Sequence, residues 1–336
     1  MTVHDLEHFR NLLVEREHLL HDLLREPEAC CPGDIDKVKS LLNDIKAAVG
    51  RVENGSYGTC KVCKDGVELH RLEVQPVEEI CLGCITTEER NKLEEELFLA
   101  SKIHRALLPQ SFEKIEGFEM SVRSIAARII GGDYYDFLPM QNSDFVRIVV
   151  ADTMGKGLPA GMLMSNVQGA LRIFAETLES PKELIGRLNK WLCRNIPVTK
   201  FVSLTCAAIE QGSGEANQII FTNAGHLPGL LIRKNGKIDW LESNSGVLGV
   251  HEGFQYEERN LAISSGDMLV LYTDGVTEAA NSNDIMFGEN RLAEFVLANR
   301  NQEIDSMLNN LQSEILSFSG RKEFEDDYTI LAIRKL

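Results

Sequence analysis

Leu6, Phe9, Leu13, Leu20 and Leu23 recur at steps that place them on one side of a helix, so residues 4 to 25 are expected to form an amphipathic helix. Breakers from Glu26-Pro27 through Pro32-Gly33 end it. Asp34 suits an N-cap, and Ile35, Val38, Leu42, Ile45, Val49 and Val52 make a heptad-like stripe behind it. Two such helices joined by a short turn predict an antiparallel hairpin. Residues 55 to 86 lose the periodicity and carry glycines and cysteines, the mark of a small knob held by something other than a core. A third helix is expected from Thr87 to Leu108, with Leu93, Leu97, Ala100, Ile103 and Leu107 on one side and Pro109 as its stop.

Beyond Pro109 the period changes. Apolar, β-rich runs at Phe145–Ala151, Val202–Ile209, Gln218–Thr222, Met268–Tyr272 and Tyr328–Ile333 read as strands. Helical stretches are expected near 158–178, 181–195, 288–298 and 302–318. Strands in groups and helices in pairs, without strict alternation, predict an α+β layered fold with helices outside the sheets. The chain divides into a helical hairpin at 1–54, a cysteine knob at 55–86, a connecting helix at 87–110 and a large domain at 111–336.

Composition narrows the function. A chain of 336 residues with a formal net charge of -16 lacks the basic face that nucleic acid or an anionic membrane requires, so direct nucleic-acid binding is not expected and protein partners are. No apolar run reaches the length of a membrane span and Met1 is followed by His4, Asp5 and Glu7 rather than a signal peptide, so a cytoplasmic address is expected.

Cys60-Lys61-Val62-Cys63 and Cys81-Leu82-Gly83-Cys84 are two Cys-x-x-Cys pairs in one short region. Two residues between thiolates turn both toward one tetrahedral ion, and two such pairs close a site, so one structural Zn²⁺ is expected on Cys60, Cys63, Cys81 and Cys84. Cys84 and Arg90 also match the Cys-x5-Arg spacing of cysteine-dependent phosphatases, but Glu88 and Glu89 would repel a phosphate there. Tyr57 to Cys63, Arg71-Leu72-Glu73-Val74-Gln75-Pro76 and Cys81 to Cys84 together resemble the DksA/TraR zinc-finger family. That resemblance implies RNA polymerase as a partner, approached through acidic residues at the tip of a hairpin, here Asp34 and Asp36.

The large domain places aspartates at strand boundaries: Gly131-Gly132-Asp133-Tyr134-Tyr135-Asp136, Asp152-Thr153-Met154-Gly155-Lys156-Gly157, Thr273-Asp274-Gly275 and Asp326-Asp327-Tyr328. Taken singly, Asp beside Gly is ordinary turn chemistry. Four such segments at strand ends point instead to carboxylates gathered around a cation. Hard oxygen donors without histidine suit Mg²⁺ or Mn²⁺, and two such ions present an activated water to a phosphate ester.

From about Glu94 to Leu336 the chain resembles the PPM-type phosphatases of the SpoIIE/RsbU class. The resemblance is carried by Leu107-Leu108-Pro109-Gln110, Gly131 to Asp133, Asp152 to Gly157, Asn223-Ala224-Gly225-His226, Tyr272 to Glu278, Phe287-Gly288 and Asp326 to Thr329. It implies a β-sandwich flanked by helices (αββα) behind the hairpin and finger, and hydrolysis of phosphoserine or phosphothreonine on a protein, an anti-sigma-factor antagonist in a partner-switching pathway. It implies that Asp152 bridges two metal ions with the Thr153 carbonyl beside it, that Asp274 and Asp326 hold the opposite ion, and that Asp133 acts directly or through water. Asp136 and Asp327 become orienting partners, Gly155 and Gly157 keep the loop open, and His226 is either a general acid or a structural hydrogen-bonder. Lys156 is either a phosphate attractor or an exposed loop lysine. In that class the helix before the catalytic domain is a switch, which makes Thr87–Leu108 the expected relay and the N-terminal helices the expected homodimer contact. The competing expectations are a polymerase-binding regulator that keeps the phosphatase fold as a scaffold, and a phosphohydrolase of small molecules.

Overall fold

The computed structural model describes residues 3–25, 34–109, 114–140, 143–197, 199–243 and 245–336. The chain divides into two compact units, Met1–Glu96 and Leu97–Leu336. In the first, α1 (Val3–Arg25) and α2 (Asp34–Glu53) pack together, and the contact of Phe9 with Tyr57, ring centroids 5.7 Å apart, sets the start of α1 beside the end of α2. The pair is therefore antiparallel. Phe9, Leu13 and Leu20 meet Leu42, Ile45 and Val52 in one buried core, which continues into the knob through Tyr57, Val67 and Leu72. The short α3 (Leu69–Val74) lies in the knob. The expected turn from Glu26 to Gly33 and the side chains of Leu23 and Asp34 lie outside the described residues.

α4 (Thr87–Leu107) matches its expected bounds, but its inward face differs from the apolar stripe. Ser101 and His104 are buried, Leu97, Ala100 and Leu107 are half-buried, and Leu93 and Ile103 are exposed. The period was right and the phase was turned by about one residue, because a polar pair takes the buried positions.

The second unit is a four-layer sandwich. Its strands are β1 (Phe118–Ile125), β2 (Tyr134–Pro139), β3 (Phe145–Thr153), β4 (Val202–Glu210), β5 (Ala216–Ala224), β6 (Gly229–Ile232), β7 (Ile238–Leu241), β8 (Arg259–Ser264), β9 (Met268–Tyr272) and β10 (Tyr328–Lys335). One sheet runs β1-β10-β9-β6-β7, the other β2-β3-β4-β5-β8, and their strand pairings are antiparallel. Its helices are α5 (Leu158–Ala175), α6 (Pro181–Asn195), α7 (Asp274–Thr277), α8 (Gly288–Asn299) and α9 (Ile304–Ser319).

Alternation along each strand builds the layers. Ile148 and Val150 of β3 meet Leu269 and Leu271 of β9 between the sheets. Their neighbours Val149 and Ala151 turn outward to Met164, Leu171, Leu184 and Leu188 of α5 and α6. Val270 and Tyr272 face α8 and α9 through Leu292, Val296, Leu308 and Leu311. Strands buried on both faces read as unbroken apolar runs, which is why these were legible. The strands the sequence reading passed over, β1, β2, β6, β7 and β8, are short or carry polar residues on alternate positions, as with Glu119, Ser121 and Arg123 in β1.

Candidate active site

The topology explains how four distant segments come to one end of the sandwich. β2 and β3 are antiparallel neighbours in one sheet, so the start of β2 and the end of β3 coincide: Tyr134 pairs with Ala151, which brings Asp133 to Asp152. β9 and β10 are antiparallel neighbours in the other sheet, where Tyr272 pairs with Ile330 and the Thr273 amide donates to the Thr329 carbonyl at 2.9 Å. That places Asp274, the first residue of α7, beside Asp326 and Asp327. A hydrogen bond joins the two halves, with the Thr273 hydroxyl donating to Asp133 Oδ2 at 2.7 Å.

Glycines allow the approach. A side chain at Gly275 would meet the Asp327 carbonyl at 2.1 Å, and one at Gly132 would meet the Thr153 hydroxyl at 2.6 Å. Asp327 accepts from the Ala127 amide at 2.8 Å and the Gly132 amide at 2.5 Å, so it clamps the loop that presents Asp133. Thr153 is buried and donates to the carbonyls of Gly132 and Ala160, each at 3.1 Å, which locks the end of β3 against the same loop and the start of α5.

The electrostatics are those of a site built for a cation. Burial first, then repulsion from Asp274 and Asp326, pushes the Asp152 carboxyl up to about 7. Burial and then Asp326 and Glu278 push Asp274 up to about 6. Asp133 is raised well above the usual carboxylate range by burial and by Asp152. Its Oδ1 is buried and has no hydrogen-bond partner among the described residues. An acceptor left without a donor in the interior is costly, and a cation is the group that would satisfy it. Lys156 supplies part of that charge, with Nζ 2.6 Å from Asp326 Oδ2. The loop lysine is thus tied to a candidate ligand, a contact that sequence spacing does not reveal.

For Asp136 the structure changes the expectation, and for His226 it selects the structural of the two alternatives. Asp136 faces the helical layer and not the aspartate cluster: it accepts from Arg172 Nε at 2.8 Å and from the Tyr134 hydroxyl, and so ties β2 to α5. A residue two positions along a strand from Tyr134 shares its face, and Tyr134 lies in the core under α5 and α6. His226 has both ring nitrogens engaged, Nδ1 with the Ser203 hydroxyl at 2.8 Å and Nε2 with the Tyr272 carbonyl at 3.0 Å. Burial pulls it down to about 4, so the ring is neutral, donating from Nε2 and accepting at Nδ1. It joins β4 of one sheet to β9 of the other.

Sequence reasoning missed Thr273, whose hydroxyl orients Asp133, and His104, which lies against the Gly131 backbone with its Nε2 buried and without a partner among the described residues. A threonine before Asp-Gly and a histidine on an apolar helix face carry no signal of their own.

The cysteine knob forms a second candidate metal centre. The four sulfurs of Cys60, Cys63, Cys81 and Cys84 lie within 4.8 Å of one another, and Cys63 and Cys81 are 3.6 Å apart. Tetrahedral bonds of about 2.3 Å require separations of about 3.8 Å. Amide hydrogen bonds, first from Cys63 and next from Cys81, pull the Cys60 thiol down to about 6. Arg51 of α2 donates to the Val77 carbonyl at 2.9 Å and so fastens the knob to that helix, while within the knob the Tyr57 hydroxyl donates to the Pro76 carbonyl at 2.8 Å and Arg71 pairs with Glu78 at 2.9 Å. Trp191 and Trp240 pack against the two helix-facing cores.

Comparison with known proteins agrees with this architecture. The chain is 26% identical over 249 residues to the phosphoserine phosphatase RsbU of Bacillus subtilis, covering 73% of this chain and 72% of that protein. The SiaA-PP2C domain of Pseudomonas aeruginosa superposes with a TM-score of 0.65 at 20% identity, over 74% of this chain and 99% of that domain. A 54-residue stretch, 16% of this chain, is 28% identical to the RNA polymerase-binding transcription factor DksA of Haemophilus influenzae and covers 37% of it. Residues 142–336 match the family of Stage II sporulation protein E, SpoIIE, and it is to this family that the chain belongs.

Proposed function

We propose that the chain is a metal-dependent phosphoprotein phosphatase acting on phosphoserine or phosphothreonine, with an anti-sigma-factor antagonist as its substrate in a partner-switching pathway. The observation that carries this reading is the meeting of Asp133, Asp152, Asp274 and Asp326 at one end of a sandwich of the SpoIIE family, with the buried Asp133 Oδ1 lacking a donor among the described residues. The donor set suits two Mn²⁺ or Mg²⁺ ions. Asp152 and the Thr153 carbonyl would hold both, Asp274 and Asp326 one, and Asp133 would assist directly or through water. Such ions supply the charge that lets these carboxylates coexist and the Lewis acidity that activates water and neutralises phosphoryl oxygens. The chain's own part is to hold the acids: Thr273 orients Asp133, Asp327 clamps the Gly131-Gly132 loop, and His226 ties the two sheets behind them.

One structural Zn²⁺ on Cys60, Cys63, Cys81 and Cys84 organises the knob, and a four-thiolate site fits a reducing, cytoplasmic address. The second half of α4 is the relay: His104 touches the loop that carries Asp133, so a change in α4 reaches the acids through one contact. Leu93, Leu99 and Ile103 leave an exposed apolar surface on α4 for a homodimer contact.

The test is hydrolysis of a phosphoserine peptide with Mn²⁺, with p-nitrophenyl phosphate and a nucleotide as competitors and Asp152→Asn and Asp274→Asn as controls. Mn²⁺-dependent release of phosphate that both substitutions abolish is the expected result. Activity that survives Asp152→Asn, or a preference for the nucleotide, would overturn the reading.

A further inference from the structure

α5 begins at the Asp152–Gly157 loop, and its far end, about 25 Å away by helical rise, opens onto a groove of 660 Å³ between α5, α6 and the loop at Phe254 to Tyr256. The groove has an aromatic floor of Phe174, Phe254 and Tyr256, and Lys182, Arg187 and Lys190 line it. In a chain of net charge -16 this is an unusual concentration of positive charge.

The buried face of α6 is Leu184, Ile185, Leu188 and Leu192, so its exposed face presents Lys182, Arg187, Lys190 and Arg194, with Glu183 in the first turn as the acid among the groove's lining residues. Lys182 is held by Glu258 at 3.7 Å and Arg194 by Glu252 at 2.9 Å. Arg187 lies over the Phe174 ring, 5.8 Å from its centroid, and among the described residues neither it nor Lys190 forms an ion pair. Gly186 also lines the groove, in the interior of α6, and a side chain there would meet nothing within 4 Å. Glycine in a helix interior costs about 1 kcal/mol relative to alanine. Neither packing nor a positive φ requires glycine here, and its lack of a side chain leaves this wall of the groove open to close approach.

We propose that this groove docks an acidic segment of the protein substrate, which seats an aromatic or aliphatic side chain on Phe174, Phe254 and Tyr256 while its carboxylates meet Arg187 and Lys190. The proposal rests on the phosphoprotein phosphatase reading above. Charge complementarity selects the occupant: cations over aromatic rings favour a carboxylate-rich partner that also carries an apolar anchor. A half-open groove suits a chain segment better than a small ligand, which is bound by enclosure. Its distance from the aspartates means that the segment adds affinity without touching the reacting phosphate. An extended chain covers the roughly 25 Å in about eight residues, so a spacer of about twelve lets one molecule reach both places.

Two measurements on the full chain test this. The first is fluorescence anisotropy with a labelled, unphosphorylated peptide alternating glutamate with phenylalanine and leucine, against a control with glutamine in place of glutamate. The acidic peptide is expected to bind at least tenfold tighter than the control, and both the Arg187→Glu/Lys190→Glu pair and Gly186→Leu are expected to abolish that advantage. Gly186→Leu projects a side chain into the groove from a position whose Cβ meets nothing within 4 Å, and is expected to leave Tm at or above that of the parent. The second joins the acidic segment through a twelve-residue Gly/Ser spacer to a phosphoserine peptide. Its KM is expected to fall about tenfold relative to the glutamine version, with kcat unchanged, and the variants are expected to erase the difference while hydrolysis of p-nitrophenyl phosphate with Mn²⁺ stays at the parent's rate.

Equal binding of both peptides, binding untouched by the variants, or competition by a small aromatic carboxylate with no peptide effect would overturn the docking proposal. Groove-dependent peptide binding together with no Mn²⁺-dependent hydrolysis of any phosphate ester would instead overturn the phosphatase reading and leave the groove a site for an acidic partner.

Discussion

The cysteine knob and the aspartate pocket are both candidate metal centres, yet they are built in opposite ways. In the knob the four sulfurs already lie within 4.8 Å, and the ligands come from two local turns about twenty residues apart in the chain. In the pocket four hard carboxylates come from strands in two different sheets, and burial and mutual repulsion raise Asp133, Asp152 and Asp274. The first is a closed arrangement in which a bound ion would substitute for core. The second is open and strained by charge, which suits ions that must also engage a substrate. A structural site is made cheaply by spacing, whereas a reactive one needs a scaffold to hold together groups that repel.

The largest effect should come from breaking the knob. Cys60→Ser removes a thiolate from a site whose ion is worth on the order of 10 kcal/mol to folding. The cooperative melting of the first unit is expected to disappear, while that of the second is retained, as read by calorimetry of the full chain. Retention of both transitions would mean that the helices alone hold the unit together.

Asp152→Asn attacks the other centre without disturbing the fold. Activity with Mn²⁺ is expected to fall about a thousandfold, corresponding to several kcal/mol of transition-state stabilisation. The metal-free variant should melt higher than the parent, because a buried charge has been removed.

The contrast also has a pH signature. Asp152 at about 7 and Asp274 at about 6 stand above their ordinary value of 3.8. The metal-free fold therefore binds their protons more tightly than the unfolded chain does, and the resulting stability is fully present below about pH 4 and is lost as pH rises through 6 and 7. The Tm of metal-free protein should fall between pH 5 and pH 8. Mn²⁺ should remove most of that decline and Asp152→Asn should flatten it, both measurable by scanning fluorimetry.

Lys156→Ala is the smallest perturbation. Lys156 pairs with Asp326 while 45% of its side chain is exposed, so the ion pair is screened and worth little to stability. Its removal makes the pocket more negative, and the Mn²⁺ concentration for half-maximal activity is expected to fall about twofold to threefold. A rise would show that the lysine holds the phosphate rather than the carboxylate.

The centres also differ in how far they could be read in advance. Cys60, Cys63, Cys81 and Cys84 were legible because their chemistry is set by separation along the chain, and the motif residues around them acquired reasons in the structure: Tyr57 bonds Pro76, Arg71 pairs with Glu78, and Leu72 is buried. Asp133, Asp152, Asp274 and Asp326 were legible as strand-end aspartates beside glycine, and resemblance to a family then grouped them. Asp136, three residues from Asp133, was expected to orient those acids and instead serves α5, because the face that a strand residue presents is set by the alternation along the strand and by the layer that lies over it. His226 raised a choice that sequence could not decide; two hydrogen bonds to different sheets decided it.

The sequence by itself determined the long helices, the apolar strands buried on both faces, the thiolate cluster and the identity of the acids, since each depends on local period, spacing or residue chemistry. Only the tertiary structure decided that the ends of β2 and β3 meet those of β9 and β10, that Thr273 and Asp327 orient the pocket, that α4 buries Ser101 and His104 instead of its apolar stripe, and that a basic, aromatic groove forms at the far end of α5. These are properties of contacts between residues far apart in the chain, and they exist only once two sheets have packed and carried charged groups to places where neighbours, and not sequence position, set their energy.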